Sequence, residues 1–275
     1  MRHGNGRSHG RAGWMLALGV TLSWLAAACG DTTPTDPAVS DPLPLLQLVG
    51  EDGDLLPDLG MARLSDLSVA KLSKGQRLLR FSMTIVNVGS GPFELNGERA
   101  GTGEASWSVV QRVFDGTGGA RDVSTPVEME FGGDGHSHWH VHDLVEATLV
   151  RLDNGAAVAR GAKLGFCFWD NARYRLTLPG APQSPVYGSA GCGRAESLEV
   201  TMGLSVGWGD LYGAWLPDQH IDISNVPSGR YRLLVIADPF GWFTESSGAN
   251  NATWVDIEFR GNGNSFKVLA YGPSA

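Results

Sequence analysis

Four of the chain's seven histidines fall within seven residues, at His136, His138, His140 and His142. In an extended strand alternate side chains share a face. All four imidazoles then line one side, while Ser137, Trp139 and Val141 line the other. Neutral imidazole ligates zinc, copper, iron and nickel, so this strand reads as the wall of a metal site. Imidazoles two residues apart are separated by about 6.6 Å along a strand and can meet on one ion with bonds of about 2.0 Å. Three on a flat strand cannot, because the outer two are about 13 Å apart. The strand must bend, and Gly132-Gly133-Asp134-Gly135 gives it freedom to do so. Three imidazoles leave positions open for water or O2, as a catalytic or redox metal requires.

The rest of the mature chain also reads as strands. Leu79, Phe81, Met83 and Ile85 alternate, and the turn Asn87-Val88-Gly89-Ser90-Gly91-Pro92 follows. Further strands are expected over 108–114, 144–152, 162–169, 231–237 and 255–259, separated by Gly- and Asn-rich turns. No convincing amphipathic helix follows the N-terminal apolar run. The expected fold is all-β, a sandwich-like domain with long irregular loops.

The N-terminus reads as a targeting segment, residues 1–28. Arg2, Arg7 and Arg11 precede an apolar run from Trp14 to Ala28, too short for a comfortable membrane span. Small residues directly before Cys29 resemble a bacterial lipoprotein signal, in which that cysteine carries the lipid. Ordinary cleavage after an Ala-x-Ala is the alternative. Residues 29–49 are rich in Pro and Thr and read as a tether, and 50–275 as one domain. The expectation is an exported envelope lipoprotein that meets the membrane only through its anchor. Cys167 and Cys192 are the remaining cysteines, and an oxidising compartment would join them. The net charge of −8 argues against a nucleic-acid partner.

Lys163 stands inside the apolar run Ala162 to Trp169, in a chain with only four lysines. A lysine there either snorkels at a strand end or is a reactive amine of depressed pKa. With this segment the chain resembles the lysyl oxidases, copper- and quinone-dependent amine oxidases, and especially their bacterial relatives. Leu56-Pro57-Asp58-Leu59 resembles the opening of that domain. Leu78 to Phe81 and Asn87 to Ser90 resemble its first core strand and turn. His136-Ser137-His138-Trp139-His140 is similar to its copper motif. Lys163 with Phe166-Cys167 is similar to the segment holding its cofactor lysine. Leu204 to Tyr212 is similar to the segment ending in its cofactor tyrosine. Ile221 to Val226, Gly229-Arg230-Tyr231 and Glu245 to Asn251 continue the likeness.

The resemblance implies Cu(II) at His136, His138 and His140. It implies a lysine tyrosylquinone made from Lys163 and Tyr212 with O2. It also implies oxidative deamination of primary amines, peptidyl lysine or small amines, to aldehydes with release of H2O2 and ammonia. His142 stands where animal members have no ligand, as a fourth ligand or a donor behind the metal. A histidine that animal members carry a few residues on is replaced by Ala147, which leaves the proton acceptor open; Asp210 and Asp222 are candidates. Asp58, the Leu59 carbonyl, Glu245, Asn250 and Asn251 match calcium ligands of animal members, with Ser247 in place of a carboxylate. Two competing readings are a non-catalytic surface adhesion or binding sandwich and a copper-binding lipoprotein. Neither accounts for Lys163 and Tyr212 together.

Overall fold

The computed structural model describes residues 53–132, 137–162 and 165–275. The targeting segment, Cys29, the tether, His136 and Lys163 lie outside the described residues. Among the described residues the strands are Asp54–Leu55 (β1), Leu59–Met61 (β2), Ser65–Lys71 (β3), Arg77–Asn87 (β4), Phe93–Glu98 (β5), Ser108–Asp115 (β6), Ala120–Ser124 (β7), Met129–Phe131 (β8), Trp139–His142 (β9), Val145–Arg151 (β10), Ala157–Arg160 (β11), Gly165–Phe166 (β12), Ala172–Arg173 (β13), Glu199–Leu204 (β14), Trp208–Tyr212 (β15), His220–Asp222 (β16), Gly229–Ala237 (β17), Ala252–Arg260 (β18) and Ser265–Tyr271 (β19). Every named strand pairing is antiparallel. The fold is all-β, as the alternation predicts.

The long alternating run becomes β4, the spine of one sheet. Along one edge it pairs with β2 and β3, and along the other with β15 and β16. Leu79, Phe81, Met83 and Ile85 are each no more than 3% exposed. Burying a side chain of this size stabilises the fold by about 1.5–3 kcal/mol. Removing one ring, as in Phe81→Ala, would cost about 3–5 kcal/mol through the cavity left behind. β4 ends at Asn87, whose buried amide does the work of a turn. Its Oδ1 accepts from the Asp58 and Gly89 amides, and its Nδ2 donates to the Gly91 and Leu204 carbonyls.

A second sheet runs β11-β10-β17-β18-β19, and a third joins β1, β6, β5, β14 and β7. Tyr231, Leu233, Val235 and Ala237 of β17 are all buried together, and so are Val255, Ile257 and Phe259 of β18. One apolar cluster takes side chains from all these sheets.

The small sheet β12-β9-β8 carries the histidines. Two segments differ from the sequence expectation. The strand expected over 162–169 is regular only at Gly165–Phe166. Gly165, Phe166, Cys167 and Phe168 are all buried, so no solvent face remains to give alternation. Phe166 packs edge-on against Tyr212, Phe168 packs edge-on against Phe93, and Cys167 is bonded to Cys192. The histidine strand begins only at Trp139, and His138 sits in the bend before it.

Candidate active site

The histidine strand β9 is held on both edges. Glu130 of β8 faces His140, and Gly165 of β12 faces His142. Gly165 has a steric reason to lack a side chain: a Cβ there would stand 2.9 Å from the His140 Cβ. On the far face Trp139 packs edge-on against Trp107 and Phe131. Its indole N–H donates to the Arg194 carbonyl at 2.7 Å. The Arg99 guanidinium lies against both tryptophan rings, 5.0 Å from Trp107 and 4.6 Å from Trp139.

The bend at His138 brings its ring onto that of His140. The two Nε2 atoms are 2.8 Å apart, and His140 is 3% exposed. Two nitrogens each bound at about 2.0 Å to one ion would lie roughly 3 Å apart. His142 is half-buried between carboxylates: Nδ1 is 3.0 Å from Asp143 and Nε2 is 3.8 Å from Glu130. A ring nitrogen held by a carboxylate is how metal-ligating histidines are commonly oriented.

Tyr212 ends β15 and is 5% exposed. Its ring meets Phe166 at 4.4 Å between centroids. Its hydroxyl accepts from the Cys167 amide at 3.0 Å and donates to the Cys167 carbonyl at 3.3 Å. Cys167 and Cys192 form the expected disulfide, with Cα atoms 5.8 Å apart. A His138 ring nitrogen lies within 4.8 Å of both sulfurs.

A cavity of about 350 Å³ gathers these groups. His138, Asp210 and Tyr212 line it, with Trp169, Trp215 and Leu216 as an apolar wall. Asp210 is fully buried, and Asn171 fixes it by donating from Nδ2 to Oδ1 at 2.6 Å. The same Asn171 accepts from the Leu211 amide. The proline-rich interval before Tyr212 contributes Ser189 to the lining. A second hollow, about 330 Å³, lies on the outer face of β5, β6, β7 and β14 and contains none of the predicted site residues.

Asp222 is not brought to this cavity. It caps its own turn, with Oδ1 accepting from the Ser224 amide and Oδ2 from Gln76. The Ser224 hydroxyl, then its amide, hold the Asp222 carboxyl below the usual range. The reason is register: Asp222 pairs with Leu78 and Tyr212 with Met83, five residues apart on β4, or about 17 Å.

The family model described as lysyl oxidase matches residues 127–269, which span the histidine strand, the disulfide, Tyr212 and Asp210. The chain belongs to the lysyl oxidase family. It is 30% identical over 187 residues to lysyl oxidase homolog 3 of Homo sapiens, covering 68% of this chain and 19% of that protein. It is 32% identical over 141 residues to the protein-lysine 6-oxidase of Homo sapiens, covering 50% of this chain and 30% of that protein. The matched region is thus less than a third of each of these relatives' own length.

The residues expected from the sequence to hold calcium also lie near one another. Asp58 Oδ1 accepts from Asn250 Nδ2 at 2.8 Å. Glu245 accepts from the Leu59 amide at 2.9 Å and from Asn251 Nδ2 at 2.7 Å. Asn250 Oδ1 and Asn251 Oδ1 are buried and accept no hydrogen bond among the described residues. Burial pushes the Glu245 carboxyl up to about 7 and raises that of Asp58. Two carboxylates destabilised as anions thus lie beside two buried amide oxygens, oxygen donors of the kind a hard cation takes.

The cavity wall was not legible in sequence. Trp169, Trp215 and Leu216 are separated by up to 47 positions and share no spacing rule. One local hint was a tryptophan three residues past Tyr212.

Proposed function

We propose that the chain is an exported copper- and lysine tyrosylquinone-dependent amine oxidase that converts primary amines to aldehydes. The observation that carries this is the single cavity onto which His138, Asp210 and Tyr212 open. Family membership supports the amine oxidase chemistry. The two imidazoles at 2.8 Å fit copper as ligands, and the buried, cavity-lining Tyr212 fits as the quinone precursor. When bound, copper supplies the oxidation of Tyr212 by O2, and the cofactor completed by Lys163 supplies the electrophile that takes two electrons from the amine.

The residues of the chain do the rest. His138 and His140, with His136, would hold copper, and His142 stands behind them or joins them. Trp169, Trp215 and Leu216 form the apolar wall that would receive the alkyl stem of the substrate, a lysine side chain or small amine. The Asp210 carboxylate, held by Asn171, is placed to take the α-proton. The Cys167 backbone holds the phenol, and the disulfide fixes that backbone. The Asp58, Leu59, Glu245, Asn250 and Asn251 cluster would take Ca(II) and tie β2 to the 245–251 loop. Location in the cell envelope through lipid on Cys29 belongs to the same proposal, with no nucleic-acid partner. An adhesion or copper-storage role would leave Tyr212, Asp210 and the cavity without a purpose.

Copper-loaded, aerobically matured protein should yield a cross-linked Lys163–Tyr212 peptide by mass spectrometry. It should release H2O2 in response to amines, and Lys163→Arg should abolish that release. Intact, unlinked peptides from fully loaded protein would overturn the quinone reading.

A further inference from the structure

We propose that Cys167, Cys192 and His138 form a soft-metal site for Cu(I) in the chain before its disulfide closes. In the closed state the sulfurs are bonded to each other and are not ligands. In that closed state the two sulfurs and a His138 ring nitrogen lie within 4.8 Å of one another, and opening the bond would leave two thiols beside one imidazole. Donors bound at about 2.0–2.3 Å to one ion sit roughly 3–4 Å apart, so the sulfurs must spread by about 2 Å from bonding distance while the imidazole closes on them by about 1 Å. Thiolates select Cu(I) among the metals that such donors bind. Three donors also suit Cu(I), which accepts low coordination, better than zinc, whose structural sites have four.

Burial points the same way. Cys167 is 1% exposed and Cys192 is fully buried. Two buried thiolates are costly without a cation to neutralise them, and a bound metal supplies one. The Tyr212 hydroxyl holds both backbone groups of Cys167 and does not depend on the sulfur's state. His138 and Ser189 both line the 350 Å³ cavity, and Ser189 begins the 3-10 turn Ser189–Cys192. Of the three donors, His138 is the one that lines the cavity.

The redox balance is simple. A dithiol or phosphine reductant gives two electrons, and with two protons the disulfide becomes two thiols. Binding of Cu(I) releases both protons. On closure the two thiolates give two electrons to O2, which with two protons becomes H2O2, and the S–S bond forms. The sulfur ligands are then withdrawn, leaving His138 beside His140, their Nε2 atoms 2.8 Å apart. The disulfide so becomes a device that takes soft copper and commits it to imidazole.

The test uses the full chain, reduced anaerobically with a phosphine until thiol titration shows the Cys167 and Cys192 thiols free, then given one equivalent of Cu(I). X-ray absorption should show two Cu–S distances of about 2.3 Å. The oxidised chain should show nitrogen scattering only. In competition against a chromogenic Cu(I) chelator, Cys192→Ser should weaken the reduced chain by about 100-fold or more, and His138→Gln by about 10-fold or more. Nitrogen-only scattering from the fully reduced wild type would overturn the proposal, and that comparison needs no variant to fold. Equal affinity of folded Cys192→Ser would overturn it too. Amine-dependent H2O2 release by air-matured protein is read separately, so loss of the Cu(I) site and loss of the oxidase reading are distinguishable.

Discussion

The Tyr212 phenol is bound at both ends of one residue's backbone, accepting from the Cys167 N–H at 3.0 Å and donating to the Cys167 carbonyl at 3.3 Å. β15 and the chain after β12 are thereby joined at the residue that also carries the disulfide. A tyrosine so held is fixed in position in the cavity lining.

Tyr212→Phe keeps the ring on Phe166 but leaves the Cys167 amide and carbonyl without their partner. Stability should fall by about 1–3 kcal/mol, read from the urea midpoint. Amine-dependent H2O2 release should vanish altogether. A variant that is destabilised but still turns over amine would remove Tyr212 from the chemistry.

Arg99→Lys should be a costly change although it conserves charge. The guanidinium lies against both Trp107 and Trp139 and donates to the carbonyls of Ser197 at 2.7 Å, Ala195 at 2.5 Å and Glu104 at 3.3 Å. A lysine has neither the planar face nor the fork. Chemical denaturation should show a loss of about 2–4 kcal/mol. Because Trp139 backs the histidine strand, the Cu(II) spectrum should also change.

Trp215 is 70% exposed yet lines the cavity, with its indole laid against Gly213. Trp215→Ala should alter the melting temperature little and raise KM for amines with apolar stems by about 10-fold, with kcat nearly kept, as loss of an apolar contact predicts. Steady-state kinetics with a series of amines of rising stem length would check it. An unchanged KM across the series would remove Trp215 from the binding wall.

Glu245 makes stability depend on pH in a definite direction. Its carboxyl is raised from 4.5 to about 7, first by burial, with Asp238 and Asp58 adding to the rise. Between these values the folded chain keeps a proton that the unfolded chain has lost. Calcium-free protein should therefore lose stability as pH rises from about 4.5 to about 7, by up to about 3 kcal/mol, and level off above. A calcium ion bound there would take the ionised carboxylate, so millimolar calcium should remove the loss at pH 7.5 and do little at pH 5. Urea midpoints at the two pH values, with and without calcium, decide this.

Period-two patterning was readable wherever a strand has one buried and one wetter face. Residues 79–85, 231–237 and 255–259 could be assigned to strands from their side chains alone. The pattern failed at 165–168, where both faces are covered and nothing alternates. The requirement that the histidine strand bend also followed from sequence, because strand rise and metal–ligand distance are both set by covalent geometry. The chain by itself determined the all-β class, the pairing of its two inner cysteines and the residue types of the site. Which of the two carboxylates lines the cavity was decided only by tertiary structure. Asp210 and Asp222 are twelve positions apart and chemically alike, but they fall at different registers of β4, one in the cavity and one in solvent. The wall of Trp169, Trp215 and Leu216 was decided there too, because cavities form where loops from distant strands meet, and no local spacing encodes that meeting.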